Sequence, residues 1–172
     1  MQDKGFTLLE LLVTMSLAAI LLSAASPAFS GWLAKNRLRT AAYELLTDVQ
    51  KTRSEAVMRG ERITLWNRAD NNWSNGWEMF IDRDEDGELD PGETVLYTRS
   101  APAGALDITG NTPVANMVSY RPSGESALAS GAFQAGTLTL CSAGLDKAFQ
   151  IIINNAGRPQ MVTKSRSAAG CS

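Results

Sequence analysis

The chain has 172 residues, of which 44% are hydrophobic and 20% charged, so it can bury the core of one ordinary domain and carry one further element. A net charge of -2 indicates no class of partner, and the lack of any histidine excludes a Ser-His-Asp triad, a Cys-His pair and a histidine zinc site. Only a hydrolase built on Asp and Glu is left among common hydrolytic enzymes, and we therefore expect no catalytic residues and a protein that is not an enzyme.

A long uncharged segment lies near the N-terminus. Residues 11–34 form a run of 24 residues without a charged side chain, which is long enough to span a bilayer. Glu10 lies immediately before this run, one turn inside the apolar segment, where a carboxylate needs a partner such as a free α-amine. Two alternatives stay open, a cleaved secretory signal ending near residues 24–26 and an ordinary signal anchor.

The residues that precede this run form a recognisable motif. The segment from Lys4 to Glu10 reads KGFTLLE and resembles the class III signal of type IV pilins and type II secretion pseudopilins. The resemblance implies that prepilin peptidase cuts between Gly5 and Phe6 and methylates Phe6, so that Glu10 becomes the fifth mature residue. Residues 1–5 are then a leader peptide, and residues 6–34 are the transmembrane half of a helix that later forms the filament core.

Beyond Lys35 the helix is predicted to continue as an amphipathic one over residues 35–59. Gly60 is the predicted C-cap residue, since glycine accepts the left-handed conformation that ends many helices. The second half of the helix thus offers one apolar stripe for a sheet to cover. The stripe recurs at spacings of three, four or seven residues, at Leu38, Ala42, Leu45, Val49 and Ala56.

After Gly60 the pattern changes to short runs typical of β-strands, separated by Asn-, Pro- and Gly-rich turns. Connections this short cannot carry parallel crossovers, so residues 61–172 are predicted to form antiparallel sheet. The predicted fold class is α+β, with a long N-terminal helix packed against the antiparallel β-sheets of a small C-terminal head, residues 35–172. The predicted strands are Ile63–Trp66, Trp77–Ile81, Val95–Thr98, Val118–Tyr120, Thr137–Cys141 and Phe149–Ile153.

The order of motifs along the head is also informative. Residues 45–65, then Gly76–Asp82, and finally Asn155–Arg158 after a late strand with a cysteine, are similar to the GspH/FimT family of minor pilins and pseudopilins. The resemblance covers nearly the whole chain. It implies a head of two antiparallel sheets beside the helix and a subunit near the tip of a filament.

An acidic segment joins the second and third predicted strands. Residues 82–93 hold seven acidic residues and one arginine, and their spacing matches a twelve-residue calcium loop with Gly87 at the sixth position. The flanking elements are strands, whereas calcium loops of this kind are flanked by helices. Two interpretations stay open, a bound Ca²⁺ and a solvated acidic hairpin without a cofactor. The candidate ligands are Asp82, Asp84, Asp86, Asp90 and Glu93.

The two cysteines, Cys141 and Cys171, lie near the C-terminus. A catalytic thiol without a histidine to activate it is unusual, so we predict a disulfide between them. A disulfide persists in an oxidising compartment, which indicates the periplasm. The alternative is a pair of unconnected buried thiols.

Three basic residues, Arg158, Lys164 and Arg166, lie in the C-terminal segment. Some FimT-like pilins that resemble this chain bind DNA through a Gly-Arg-x-Arg element. Gly157 and Arg158 fit that element, but Gln160 stands where the second arginine is expected. Two interpretations stay open, contact with nucleic acid and solvated cations around a disulfide-closed end.

Together these features predict a minor type IV pilin that co-assembles with other pilins to prime or cap the pilus, with consequences for pilus biogenesis, twitching, adhesion or DNA uptake. The alternatives are a minor pseudopilin of a type II secretion system and a DNA-binding tip pilin for natural transformation. The predicted location is the inner membrane, with a single pass and the head in the periplasm, before incorporation into the filament. The predicted partners are other major and minor pilins or pseudopilins, prepilin peptidase, the inner membrane and, for the last alternative, DNA.

Overall fold

The computed structural model describes residues 7–68 and 72–171, and for residues 22–28 it describes the backbone only. The predicted leader, residues 1–5, lies outside the described residues. The helices are α1 (Leu8–Arg59) and α2 (Arg166–Ala169), with short 3-10 helices at Trp73–Asn75 and Thr112–Val114. The strands are β1 (Ile63–Trp66), β2 (Gly76–Ile81), β3 (Thr94–Ser100), β4 (Leu106–Gly110), β5 (Met117–Tyr120), β6 (Gly136–Ser142), β7 (Lys147–Ile153) and β8 (Pro159–Ser165).

Helix α1 begins and ends with capping groups that its sequence supplies. The hydroxyl of Thr7 accepts the backbone N–H of Glu10 at 3.2 Å, which satisfies a donor of the first turn. At the other end Gly60 adopts the left-handed conformation, with φ 67°, and its N–H donates to the carbonyl of Ala56. The helix is 52 residues long, and its predicted end near Gly60 is confirmed.

The strands form two four-stranded antiparallel sheets, in the orders β3-β2-β1-β5 and β4-β6-β7-β8. In the first sheet Ile63 pairs with Ile81 on one side and with Tyr120 on the other. In the second, Leu140 pairs with Ile108 and with Phe149. The predicted helix with two antiparallel sheets is therefore confirmed.

Two strands, β4 and β8, were absent from the strands predicted above. Both lie at an edge of the second sheet, where a strand pairs with a single neighbour. In β4 only Ile108 is buried, and β8 has no buried residue. Strand β8 has no buried face and lacks the alternation of apolar and polar residues that reveals a strand in sequence. Strand β4 does alternate, from Leu106 to Thr109, and this short signal could have predicted it.

The described residues fall into two compact units, of which the first ends at Leu33 and the second begins at Ala34. In the first unit the large apolar side chains of α1 outside residues 22–28 are exposed except Leu33, which is half-buried; Leu8, for example, is 78% exposed and Leu21 is 70% exposed. None of the helices in the described ranges combines the length and the apolar character that a membrane crossing requires. The transmembrane span over residues 6–34 stays a prediction.

The second unit has one hydrophobic core, to which α1 and both sheets contribute. The first sheet supplies Leu65 and Met79, and the second supplies Leu140 and Ile151. These strand residues and the apolar stripe of α1 belong to a single buried cluster, so the stripe joins the two sheets. Its buried members are Leu38, Ala41, Ala42, Leu45, Val49 and Ala56.

A buried carboxylate on the helix adds a polar connection to the first sheet. Asp48 accepts the indole N–H of Trp77 at 2.8 Å and the guanidinium Nε of Arg99 at 2.6 Å. The hydrogen bond to Asp48 is the main cause that raises the pKa of Arg99 above its ordinary value. Because Trp77 lies in β2 and Arg99 in β3, one helical side chain holds two neighbouring strands.

Leu45→Ala should lower the free energy of unfolding by about 2–5 kcal/mol, because it removes a fully buried side chain from the core that the helix and both sheets share. The measurement is urea unfolding of the full-length protein in detergent, followed by the fluorescence of the buried Trp73 and Trp77. Met58→Ala is the control, since that side chain is 71% exposed and should change stability by less than about 0.5 kcal/mol. Equal effects of the two substitutions would contradict the assigned core.

Candidate functional site

The N-terminal segment places its one charged side chain at the start of α1. Glu10 lies in the first turn and is exposed, and it is the sole charged residue in the sequence from position 7 to 34. A carboxylate is favourable there because the helix dipole leaves partial positive charge at the N-terminus. Gly5 and Phe6, the predicted processing site, lie outside the described residues.

The acidic loop, residues 82–93, joins β2 to β3. Asp82 is buried, at 1% exposure, and its Oδ2 accepts the hydroxyl of Thr64 at 2.6 Å. Carboxylate oxygens of Asp82, Asp84 and Asp86 lie within 4.8 Å of one another, with Asp84 and Asp86 exposed. The structure therefore brings together three of the five predicted ligands.

Asp90 and Glu93, the other two predicted ligands, lie outside this cluster. Both carboxylate oxygens of Glu93 accept backbone N–H groups of the loop itself, Oε1 from Arg83 at 2.8 Å and Oε2 from Asp90 at 3.1 Å. Glu93 thus closes the two ends of the acidic loop. Asp90 is exposed and its backbone donates to that closure.

Burial raises the pKa of the Asp82 carboxyl above its ordinary value of 3.8. The Thr64 hydroxyl, the Arg62 guanidinium and the Gly87 backbone act in the opposite direction, and the Asp86 carboxylate adds to the increase. A carboxyl whose pKa is higher in the folded state loses stabilising free energy as pH rises from its unfolded pKa through the folded one. The titration of Asp82 therefore lowers the stability of the fold as pH rises above its unfolded pKa.

Sequence analysis did not single out Arg62, which is buried directly behind the acidic loop at 4% exposure. Its Nε donates to the hydroxyl of Ser119 at 2.7 Å, and its Nη1 lies 3.0 Å from the carboxylate of Glu85. Its Nη2 donates to the carbonyls of Ala127 and Leu128 at 2.8 and 2.9 Å. One guanidinium thus connects the loop to two other segments, and no local sequence pattern marks such a residue.

Arg62→Met should lower the free energy of unfolding by about 3–5 kcal/mol, because the remaining partners of a buried charge network lose their donor. The measurement is again urea unfolding of the full chain in detergent. Arg83→Gln is a matched control on the neighbouring strand end, where the side chain is 58% exposed and forms only a long ion pair with Glu61. That change should cost less than about 1 kcal/mol, and a comparable loss in both variants would refute the special role of Arg62.

The three C-terminal cations do not form one cluster. Arg158 precedes β8 and Lys164 lies near its end, so the two residues are six positions, or about 20 Å of extended chain, apart. Arg166 begins α2 and donates from Nη1 to the carbonyl of Ser142 at 2.6 Å, which connects the C-terminal segment to β6. Arg158 instead borders a surface groove together with Arg53 of α1.

The predicted disulfide between Cys141 and Cys171 is present in the structure, with the two Cα atoms 6.0 Å apart. It connects Cys141 in β6 to Cys171, which follows Gly170, the C-cap residue of α2. The hydroxyl of Ser165 caps the same short helix by accepting the N–H of Ala168. The C-terminal end is therefore held to the second sheet by a covalent bond and by Arg166.

The fold and the N-terminal segment together agree with two known sequence families. Residues 41–157 match the family described as type II transport protein GspH, and residues 1–26 match the prokaryotic N-terminal methylation motif. These features define a protein with a pilin-like fold and an N-terminal methylation motif. The chain belongs to the GspH family.

Two curated proteins are similar in sequence. The pilin-like protein PilA1 of Thermus thermophilus is 35% identical over 95 residues, which are 54% of this chain and 57% of that protein. The competence protein ComGD of Bacillus subtilis is 39% identical over 64 residues, which are 37% of this chain and 45% of that protein. The chain thus spans about half the length of these curated relatives.

Two solved structures are similar in fold. The type IV minor pilin FimU of Pseudomonas aeruginosa matches with a TM-score of 0.59 and 24% identity, over 74% of this chain and 90% of that one. The minor pseudopilin EpsH from the type 2 secretion system of Vibrio cholerae matches with a TM-score of 0.53 and 12% identity, over 73% of this chain and 96% of that one. At these identities the likeness shows the fold.

Proposed function

We propose that the protein is a minor type IV pilin that co-assembles with other pilins and primes the pilus. The observation that carries the proposal is the first half of α1. Its described large apolar side chains are exposed except the half-buried Leu33, and residues 7–34 hold one charge, Glu10. A helical surface of this kind is stable in lipid or against other apolar helices. The membrane supplies the lipid, and a filament of pilins supplies the neighbouring apolar helices.

The proposal includes processing of the N-terminus by prepilin peptidase. The match of residues 1–26 to the methylation motif supports cleavage between Gly5 and Phe6 and methylation of Phe6. Helix α1 begins at Leu8, so the new α-amine of Phe6 would stand close to the helix start. Phe6 and Glu10 are four residues apart, about one helical turn, which suits pairing of the amine with the carboxylate of the same or a neighbouring subunit.

The proposed location is the inner membrane, with the head in the periplasm. Phe29 and Trp32 are exposed and stack with ring centroids 5.8 Å apart, and the first cation after them in sequence is Lys35. Aromatic rings followed by a cation are typical of the boundary between hydrocarbon and water. The disulfide between Cys141 and Cys171 supports an oxidising compartment for the head.

A minor pseudopilin is the second candidate, and the GspH family match favours it because the family carries the description of a type II transport protein. The similarity to a pilin-like protein favours a pilus, and the similarity to a competence protein favours DNA uptake among its activities. We give the pilus priority because a curated relative is described as pilin-like. Direct contact with DNA is the weaker alternative, since Arg158 and Lys164 stand at opposite ends of β8 and Arg166 donates to Ser142.

Intact mass of the protein from membranes should correspond to a chain that begins with methylated Phe6. Gly5→Leu should leave the precursor uncut, because the residue at the scissile bond is changed, and the mass should rise by the leader. Gln2→Ala changes the leader away from the cleavage bond and should be processed normally. A mature N-terminus near Ser26 would mean a conventional signal peptide and would contradict the pilin assignment.

Glu10→Ala should leave the amount of protein in membranes unchanged and lower its recovery in sheared filaments by at least about tenfold. The physical reason is that the α-amine of Phe6 would lose its proposed partner in an apolar surrounding. Thr14→Ala is the matched control, since Thr14 is exposed on the same segment and donates its hydroxyl to its own helix, to the carbonyl of Leu11. Normal recovery of the Glu10 variant in filaments would refute its role in assembly.

A strain that lacks the gene distinguishes the two candidate filaments, the pilus and the type II secretion filament. In a deletion strain, loss of surface pili with normal type II secretion, restored by the wild-type gene, supports the pilus. Loss of secretion with normal pili would replace the proposal by the pseudopilin. Pili are counted by electron microscopy, and secretion is measured as the activity of exported enzymes in the medium.

A further inference from the structure

The acidic loop, residues 82–93, contains a cluster of three carboxylates that the assembly function does not use. Oxygens of Asp82, Asp84 and Asp86 lie within 4.8 Å of one another. Two oxygens bound to one Ca²⁺ at about 2.4 Å can be no farther apart than about 4.8 Å. The three carboxylates therefore already meet the distance limit for shared ligation of a single ion.

An independent observation within this cluster is the unpaired oxygen of Asp82. The side chain is fully buried, and Oδ2 is occupied by the Thr64 hydroxyl, whereas Oδ1 has no hydrogen-bond partner within residues 7–68 and 72–171. A buried acceptor without a partner destabilises the folded state, so such atoms are rare in folded proteins. A cation held between Asp82, Asp84 and Asp86 would give this oxygen a partner, with the oxygen as one of the ligands of the ion.

The protein groups near Asp82 do not donate a hydrogen bond to its Oδ1. Arg62 approaches it only through Nε, 3.8 Å from Oδ2, and its N–H groups are already directed at other acceptors. The Gly87 backbone lies near the carboxylate but leaves Oδ1 without a hydrogen bond. The carboxylate that carries the unsatisfied oxygen lies among like charges, where a cation is the favourable occupant.

The backbone of the loop is shaped to bring the three aspartates together. Gly87 is buried and has φ 85°, a left-handed conformation that other residues rarely adopt. A Cβ at this position would also collide with the thioether of Met117 in β5. Glu93 clamps the two ends of the loop through the N–H groups of Arg83 and Asp90. The cluster thus stands on a fixed turn.

We propose that Asp82, Asp84 and Asp86 bind one Ca²⁺ ion, which holds the β2–β3 loop to the first sheet. The ligands are all carboxylate oxygens, the type that calcium prefers, and water would complete a coordination number of six to eight. Glu93 departs from the twelve-residue calcium loop, because its carboxylate binds backbone amides instead of the ion. With fewer protein ligands the expected Kd is about 0.1–1 mM, the range of extracellular calcium modules.

The test is the thermal unfolding of the full-length protein in detergent, with calcium chloride alone as the probe. At 10 mM calcium the Tm should lie about 3–8 °C above that in chelator, because an ion bound only by the folded state stabilises it by mass action. Magnesium chloride at the same concentration should give a clearly smaller shift, since Mg²⁺ demands a stricter geometry and shorter bonds. An equal shift with both salts would show charge screening only and overturn the proposal.

Two double variants identify the ligands. Asp84→Asn with Asp86→Asn removes two exposed members of the cluster, and it should fold normally while losing the calcium-dependent part of the Tm shift. Glu88→Gln with Asp90→Asn removes the same charge from exposed positions of the same loop and should keep the full shift. Calorimetric titration should give one ion per wild-type chain. A shift that survives in the first variant, or no binding up to 10 mM, would disprove the site.

Discussion

The apolar stripe on the second half of α1 is the constraint on which the rest of the head depends. This part of the helix buries Leu38, Leu45 and Val49, and both sheets contribute to the same core. Each sheet by itself would expose an apolar face to water. The helix therefore acts as the common partner of both, and Asp48 adds hydrogen bonds to Trp77 and Arg99 that hold it against the first sheet.

The same helix carries a second apolar surface with a different fate. In the second unit the stripe is covered by the chain's own strands, whereas the described large apolar side chains of the first unit, except the half-buried Leu33, are exposed. Membership of the GspH family and the match to the methylation motif support different roles for the two halves of the helix. The proposed pilin uses one half of α1 to fold and leaves the other half for lipid and for neighbouring subunits, with Glu10 as its single charge.

The buried polar groups around β1 connect the acidic loop with the rest of the head. Arg62 and Thr64 lie at or beside this strand, and they contact Glu85 and Asp82 of the loop. Such groups are costly to bury unless each finds a partner, and most of these do. Three buried side-chain atoms in the described residues lack a hydrogen-bond partner, Nε1 of Trp66, Oδ1 of Asn67 and Oδ1 of Asp82. Of these, Oδ1 of Asp82 belongs to a carboxylate of the calcium site proposed at Asp82, Asp84 and Asp86.

The sequence by itself determined the features that depend on neighbouring residues. The cap at Gly60, the stripe from Leu38 to Ala56 and the central strands follow from local chemistry and periodicity, and the late cysteines left one pairing. Tertiary structure alone decided the features that depend on distant partners. Edge strands β4 and β8 bury almost nothing and exist because β6 and β7 offer them hydrogen bonds. In the same way, the spacing of acidic residues suggested five calcium ligands. In the folded chain Glu93 instead accepts backbone N–H groups, and Asp82 is buried beside Thr64. Sequence could not predict this, because these hydrogen-bond partners come together only when the strands pair.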